Sequence, residues 1–281
     1  MTCWSRWNLF TKSSIAASSL MIWSFGAPKL SVKQVANRTK SLVVESLTQD
    51  KTGYKICLRN TSTVAVYELA RAVTGSKGVC DLHTPRSTSG AIGPNEEREI
   101  HLPYTKSKPM WGGPAEESCA TATDQVPNGK PGVGPGIMID AADFTDGTCE
   151  GDLAKCAMME AFRVGVYTQR QRIAGVVQEE IKRGGDEDWA DPLALRVSAL
   201  SSEPEEAIVE AIQIRFQQPA SAKESVRSDM ENGLVEERGF FLTYVKLYKT
   251  MSSKYGKPKT SLQEWWKVTK GRCDFYSPQC C

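Results

Sequence analysis

The pattern of apolar and polar positions divides the chain into a first half of strands and a second half of helices. Between residues 53 and 59 the two types alternate, so that Tyr54, Ile56 and Leu58 share one face. This alternation is typical of a half-buried strand. The pattern predicts further strands over residues 41–47, 64–73, 97–102 and 136–144.

Turn residues separate these strands. Asn60-Thr61-Ser62 is predicted as a turn, and Asp146-Gly147 is a pair favoured in tight turns. In the strand over residues 64–73, we expect Ala65, Tyr67 and Leu69 to share one face. Residues 28–40 are predicted to be a polar linker, and the glycines, serines and Pro85 after the third strand predict a loop to about Gly90.

A long amphipathic helix is predicted from Asp152 to Arg183. Apolar residues recur there at spacings of three and four, and the stripe is interrupted at Gln169 and Arg170. Asp152 is a suitable N-cap, and Gly184-Gly185 is a typical helix end.

Four shorter signals predict the remaining helices. Asp191-Pro192 begins a short helix with proline at its first position. Capping boxes are predicted at Ser202 with Glu205, Ser221 with Glu224, and Ser261 with Glu264. Inside the helix after Ser221, Gly233 and Gly239 each cost about 1 kcal/mol relative to alanine, which indicates a kink or a close contact.

Short strands with turn signals every ~8–12 residues favour a β-sandwich. Leu42 to Leu102, closed by Ile137 to Phe144, resembles the immunoglobulin-like or fibronectin-type sandwich of exported bacterial proteins. The resemblance implies an α+β fold, with an antiparallel β-sandwich within residues 40–150 and a helical region of about four helices over residues 152–281. Cys57 lies on the polar-looking face of its strand, so we expect helices to cover that face.

The first 27 residues are predicted to be an export signal. Arg6 and Lys12 precede the apolar run from Ile15 to Phe25, which is shorter than the ~20 residues that span a bilayer. Cleavage is expected near Ala27, and an uncleaved signal anchor is the alternative. Contact with a membrane is expected only through this segment, and only if it is retained.

Export changes the interpretation of the cysteines. Nine are present, and eight remain once Cys3 is removed with the signal. An oxidising compartment allows these eight to form disulfides, and their pairing is not deducible from the sequence. The disulfide candidates are Cys57, Cys80, Cys119, Cys149, Cys156, Cys273, Cys280 and Cys281.

A loop rich in proline and glycine interrupts the predicted sandwich over residues 104–135. Its composition favours disorder. Trp111 and Cys119 favour an ordered segment instead, and a disulfide from Cys119 to Cys80 would attach it to the other long loop.

Charge excludes one class of partner. The chain carries 35 Lys and Arg against 33 Asp and Glu, and removal of Arg6 and Lys12 leaves these numbers equal. Nucleic-acid binding requires a basic footprint. We therefore expect no nucleic-acid partner.

The sequence lacks the common catalytic and cofactor motifs. His83 and His101 are the only histidines, which excludes a zinc site with several histidines. There is no HExxH, CxxC or GxSxG motif, and no phosphate-binding loop, so we expect no cofactor.

An acidic series around the Asp146-Gly147 turn is the most conspicuous local feature. Weak calcium candidates are Asp140, Asp143, Asp146 and Glu150. The alternative is a turn followed by a helix N-terminus, where acidic side chains are favoured by the helix dipole.

These observations favour an exported, periplasmic or secreted protein that is a non-catalytic binding or envelope-associated module. Its expected partner is a protein or another envelope component. The alternative is a hydrolase that uses carboxylates around Asp140 to Asp152, since paired carboxylates carry out such chemistry on several folds. Trp111, Trp265 and Trp266 either stack on a partner or belong to the core.

Overall fold

The computed structural model describes residues 29–30, 35–49, 53–75, 78–83, 92–103, 136–184, 188–255 and 260–273. Within these residues the strands precede the helices, as the sequence pattern predicts. The strands are β1 (Lys29–Leu30), β2 (Val35–Asn37), β3 (Leu42–Gln49), β4 (Gly53–Asn60), β5 (Val66–Gly75), β6 (Gly78–His83), β7 (Glu97–Pro103), β8 (Gly136–Phe144) and β9 (Cys149–Gly151).

Five helices follow within the same described residues. They are α1 (Leu153–Lys182), α2 (Ala190–Ser198), α3 (Glu206–Arg215), α4 (Lys223–Tyr255) and α5 (Leu262–Cys273). Among them, none combines the length and the apolarity needed to cross a bilayer.

The described strands form two sheets. The first sheet is antiparallel, with the order β1-β3-β4-β7. The second sheet has the order β2-β8-β5-β6, and β9 pairs with β8 as well. β2 runs parallel to β8 and β9 runs antiparallel to it, so that the two short strands follow one another along the same edge of β8.

Apolar side chains of both sheets belong to one core. The first sheet contributes Leu47, Ile56 and Leu58, and the second sheet contributes Ile139 and Phe144. Because this cluster joins residues far apart in the chain, it holds the strand-containing half together.

Asn60 connects the two sheets at one end of this core. Its side chain is fully buried, and its Nδ2 donates hydrogen bonds to the carbonyl oxygens of Val64 at 2.8 Å and Ile92 at 3.0 Å. Its Oδ1 accepts hydrogen bonds from the backbone N–H and the hydroxyl of Ser62, at 2.9 and 2.7 Å. The turn predicted here is confirmed, and it leads from β4 in the first sheet to β5 in the second.

Four short strands are absent from the sequence prediction. β1 and β2 lie in the predicted linker, β6 lies in the predicted loop, and β9 follows the Asp146-Gly147 turn. β1, β2 and β9 have two, three and three residues, which is too short to show a period, and the six residues of β6 lie among the glycines that predicted a loop. Pairing with longer neighbours supplies their hydrogen bonds, and local propensity does not reveal such pairing.

The predicted faces of β5 are wrong at its start. The pairing of β5 with β8 shifts between Val66 and Glu68, which indicates a β-bulge. A bulge changes the alternation of side chains along a strand. Val66 and Leu69 therefore both enter the shared core, whereas Tyr67 is only half-buried.

The ends of α1 confirm the predicted signals. The Asp152 carboxylate accepts hydrogen bonds from the N–H groups of Ala154 at 2.9 Å and Lys155 at 3.2 Å. Gly184 follows the helix with a φ of 85°, which glycine adopts without strain.

Two of the other helix starts differ from the prediction. α2 begins at Ala190, so that Pro192 is its third residue and not its first. The box at Ser202 is wrong, because Glu205 is the N-cap of α3 and makes no side-chain capping bond. At the box of Ser261, the hydroxyl accepts a 3.3 Å hydrogen bond from the N–H of Glu264.

Among the described residues, the principal contacts between helices and strands involve the second sheet and not the sheet that contains Cys57. α1 packs against β5, β8 and β9 of the second sheet, whereas Cys57 belongs to β4 in the first sheet. Cys57 is nevertheless buried, and it is disulfide-bonded.

The helical half is organised around the contact between α1 and α4. Gly165 of α1 packs against the backbone of Met230, and Gly233 of α4 packs against the backbone of Phe162. Farther along, Arg170 and Glu237 form an ion pair with distances of 2.9 and 3.1 Å. Met159 and Met230 share one core cluster and Val177 and Val245 share the next, so residue numbers rise together along the two helices and α1 and α4 run parallel.

Gln169, one of the polar residues that interrupt the apolar stripe of α1, is buried in the helical half. Its side chain has no exposed surface, and both its Nε2 and its Oε1 lack a hydrogen-bond partner among the described residues. A buried amide without partners costs about 1–3 kcal/mol. Gln169 is therefore a local source of instability inside the helical half.

We expect the Gln169→Met variant to be more stable than the wild type by about 1–2 kcal/mol. Methionine has a similar shape and removes the unpaired amide. Urea unfolding of both proteins measures the difference. The control is Gln213→Met, which removes a 3.2 Å hydrogen bond from Nε2 to the carbonyl of Pro219 and should lower stability. A loss of stability in Gln169→Met would contradict this expectation.

Candidate functional site

The candidate site lies where β8, β9 and the start of α1 meet. The pairing between β5 and β8 shifts at Asp140, and β9 then passes so close to β8 that only glycine fits at position 151. A Cβ on Gly151 would lie 2.9 Å from the Cα of Ala141, and its φ of 105° also favours glycine. This close approach brings the acidic residues of β8 and β9 next to α1.

A chain of alternating charges links β8 to the helices. The carboxylate of Asp143 accepts a 2.8 Å hydrogen bond from Arg163 of α1, and Arg163 also pairs with Glu160. Glu160 in turn accepts a 2.9 Å hydrogen bond from Arg215 of α3. Arg215 donates to the carbonyl oxygen of Gly147 at 2.5 Å, which returns the chain of contacts to the turn after β8. We call these four side chains the charge cluster.

Burial makes the charge cluster electrostatically unusual. Asp143 is 3% exposed, and burial raises its pKa to about 6 although the guanidinium groups of Arg163 and Arg215 oppose this shift. Burial also disfavours the charged form of Arg163, but the attraction of Asp143 and Glu160 outweighs it and raises the pKa of Arg163. The cluster therefore contains a carboxyl group that titrates near neutral pH.

A second buried carboxyl lies beside Asp143. Glu68 of β5 is directly opposite Asp143 in the antiparallel pairing and is 6% exposed. Directly opposite residues point to the same face, with Cβ atoms about 5 Å apart. Glu68 and Asp143 therefore lie opposite one another on the sheet face that α1 covers.

The other acidic residues of the series contact separate partners. Asp140 lies 3.5 Å from Arg38, which also contacts Asp152 at 2.7 Å. Asp146 accepts hydrogen bonds from the hydroxyl and the N–H of Thr148, and these lower the pKa of Asp146.

Glu150 anchors the segment before β3. Its carboxylate accepts hydrogen bonds from the Ser41 hydroxyl at 2.6 Å and from the N–H groups of Ser41 at 2.8 Å and Lys40 at 3.0 Å. Although burial acts in the opposite direction, these bonds lower the pKa of Glu150. Glu150 therefore connects β9 to the segment that leads into the first sheet.

The structure does not bring the four calcium candidates together around one point. Asp140, Asp143, Asp146 and Glu150 each contact a different cation or N–H donor. In the described part of the chain, no group of three or more His, Cys, Asp or Glu side chains is placed to hold a metal.

A disulfide joins two of the cysteine candidates at this site. Cys149 of β9 and Cys156 of α1 are bonded, with their Cα atoms 6.0 Å apart. The bond closes the junction between the last strand and the first helix. Apart from Cys57, the remaining candidates have side chains that lie outside the described residues; they are Cys80, Cys119, Cys273, Cys280 and Cys281. The predicted pairing of Cys119 with Cys80 therefore lies outside the described residues as well.

The histidines and tryptophans do not extend the site. His101 is exposed on β7, and the side chain of His83 and all of Trp111 lie outside the described residues. The ring centroids of Trp265 and Trp189 lie 4.8 Å apart in the helical core, and Trp266 packs against the same core. The core assignment of these two aromatic residues is therefore confirmed.

Sequence reasoning missed the partners of Asp143. Glu68, Glu160, Arg163 and Arg215 lie on β5, α1 and α3 and were not predicted as site residues. The available signal was a charged residue inside the apolar pattern of a strand, at Glu68, and an i,i+3 charge pair near the apolar stripe of α1, at Glu160 and Arg163. Only packing of the helices on the second sheet turns these signals into one cluster.

No family model, no curated protein and no solved structure matches this chain. Fold class alone does not specify function, so the chemistry of the site is the guide to what the protein does.

The raised pKa of Asp143 predicts how stability depends on pH. The folded protein binds the Asp143 proton more tightly than the unfolded chain, in which an aspartate carboxyl has a pKa of about 3.9. The free energy of unfolding should therefore fall as pH rises from about 4 to about 6, and this contribution should then level off. Asp229, whose pKa burial also raises to about 6, adds to the same slope.

Urea unfolding at pH 4.5, 6 and 7.5 measures this slope. Asp143→Asn should reduce the fall between pH 4.5 and 7.5 by at least about 1 kcal/mol, and Asp229→Asn should reduce it by less, because Asp229 is only partly buried and solvent screens its charge. Asp146→Asn is the control, because its exposed side chain titrates below this range in the folded protein. A slope unchanged in Asp143→Asn would contradict the assignment.

Proposed function

We propose that the protein is an exported, non-catalytic binding or envelope-associated module whose strand-containing half is an immunoglobulin-like β-sandwich. The Cys149–Cys156 disulfide is the observation that carries this proposal, and Cys57 is disulfide-bonded as well. Disulfides persist in oxidising compartments and are rare in the cytosol. The core that both sheets share supports the sandwich, because two stacked sheets bury their facing side chains in this way.

The non-catalytic assignment is supported by how the acidic series is used. Asp146 closes a turn, Asp152 caps α1, and Glu150 holds the segment before β3. Each carboxylate contacts donors within the protein, and these contacts stabilise the junction of strand and helix. Such a junction is expected of a scaffold that presents a binding surface elsewhere.

Export is tested by expressing the full chain in a bacterium and measuring the intact mass of the protein from the periplasm. We expect a mass that lacks about the first 26 residues. Thiol alkylation before and after reduction should show that Cys149 and Cys156 form one bridged peptide. A chain that stays in the cytosol with its leader and with free thiols would overturn the proposal.

A carboxylate-dependent hydrolase is the second candidate function, and one observation favours it. Asp143 titrates near neutral pH beside Glu68 and Arg163, and strongly shifted carboxyl groups concentrate at active sites. A panel of glycoside, ester and peptide substrates distinguishes the two functions. Turnover by the wild type that is lost in Asp143→Asn and retained in Asp146→Asn would favour the hydrolase, and no turnover by the wild type favours the binding module.

A further inference from the structure

The apolar core of the helical half is divided into two clusters along α1 and α4. The proximal cluster lies against the second sheet and includes Met159, Val209 and Met230. The distal cluster includes Val177, Val197 and Val245, together with the aromatic group around Trp189. The two clusters are separated along both long helices.

The layer between the clusters, which we call the waist, contains the buried polar residues Gln169 and Glu237 together with the buried apolar residues Val166 and Leu234, which belong to neither cluster. It begins where Gly165 packs against the backbone of Met230 and Gly233 packs against the backbone of Phe162, and it continues with Gln169 and the Arg170–Glu237 ion pair. Gln169 is completely buried with an unpaired amide, and Glu237 is 7% exposed. Polar groups of this kind contribute less to cohesion than the apolar layers on either side.

The chain passes through the waist in three places within the described residues. α1 and α4 cross it as continuous helices, and the connection between α2 and α3 crosses it on the outside. Arg172 donates a 3.1 Å hydrogen bond to the carbonyl of Ser201, and Arg238 donates to the carbonyl of Leu200. These bonds hold the connection against both long helices at the level of the waist.

We propose that the distal cluster opens as a separate cooperative unit at the waist, while the proximal cluster stays packed on the second sheet. The opening unit comprises the C-terminal parts of α1 and α4 together with α2 and α5. Cooperative unfolding spreads through continuous apolar contact, and the polar waist interrupts that contact. The proximal cluster is additionally secured by the charge cluster and by the Cys149–Cys156 disulfide, which are both on its side of the waist.

Amide hydrogen exchange on the full-length protein tests the proposal. Amides over residues 173–181 and 241–248 should exchange at least tenfold faster than those over residues 157–166 and 226–234. The distal amides should also share one urea dependence that is shallower than that of the proximal amides. Equal rates with one common urea dependence in both sets would overturn the proposal.

A matched pair of substitutions adds a second test. Val209 and Val197 are both fully buried, one in each cluster. Val197→Ala should accelerate exchange at least fivefold in both sets of amides. The distal unit is open both when it opens alone and when the whole helical half unfolds, so destabilising it favours both reactions. Val209→Ala should accelerate only the proximal amides. If Val209→Ala accelerates both sets equally, the helical half is one unit and the proposal fails.

Discussion

The Arg163→Met variant should lose about 3–5 kcal/mol of its free energy of unfolding at pH 8. Methionine preserves the length and much of the packing of the side chain but removes the positive charge that contacts Asp143 and Glu160. Glu160 keeps its contact with Arg215, but the buried carboxylate of Asp143 loses the guanidinium that contacts it at 2.8 Å in a poorly solvated site. Urea unfolding of the wild type and the variant measures the effect.

The cost of Arg163→Met should also depend on pH. Asp143 already titrates at about 6 in the wild type, and without Arg163 it should stay protonated to a higher pH. The variant should therefore be less destabilised at pH 5 than at pH 8. Addition of Asp143→Asn to the variant should restore part of the stability at pH 8, because the unpaired buried charge is then absent.

Arg196→Met is the matched control for this experiment. Arg196 contacts Glu179 and Glu180 at the protein surface, where solvent screens the charges and an ion pair contributes little to stability. A cost for Arg163→Met that is as small as the control, or that is equal at pH 5 and pH 8, would show that the charge cluster does not stabilise the docking of α1 on the second sheet.

Replacement of Gly165 or Gly233 by alanine should destabilise the protein by about 3 kcal/mol. A Cβ on Gly165 would lie 3.0 Å from the carbonyl carbon of Met230 and closer still to its oxygen. A Cβ on Gly233 meets the backbone of Phe162 in the same way. Because backbone cannot move aside as a side chain does, α1 and α4 must separate along their whole contact.

Two other glycines on the same helices provide the control. Gly175 of α1 and Gly239 of α4 are exposed, and in the described part of the chain no atom beyond the adjoining residues and the helix's own backbone lies within 4 Å of a Cβ built at either position. Alanine there should stabilise the protein by up to about 1 kcal/mol, because it favours the helix without a clash. Thermal and urea unfolding of the four single variants should give opposite signs for the two pairs. A stabilising Gly165→Ala would contradict the close contact.

These glycines illustrate what a sequence pattern can and cannot establish. Gly233 and Gly239 both interrupt the helical pattern of α4 and both cost helix propensity, so that the sequence predicts a kink or a close contact at either one. In the structure only Gly233 lies against another helix backbone. The difference depends on which face of α4 meets α1, and that face is decided by residues far away in the chain.

The candidate site likewise combines residues that the sequence pattern singled out with partners that only packing supplies. The acidic series of Asp140, Asp143, Asp146 and Glu150 was visible in the sequence, and so was the role of Asp152 as a helix cap. The partner of Asp143 was not visible, because Arg163 lies about three turns into α1, and only the docking of this helix on the second sheet brings it to Asp143. A pair of opposite charges on one helix is usually a surface feature, and burial alone distinguishes this pair.

The sequence by itself determined the order of strands and helices, the principal strands, the long helix α1 and its N-cap. These features depend on the period of apolar residues and on bonds between near neighbours, which a linear pattern contains. Only the tertiary structure decided which sheet the helices cover, which short segments become strands of the sheets, and which charges and glycines are buried. Those outcomes depend on contacts between residues distant in sequence, where packing and desolvation outweigh local preference.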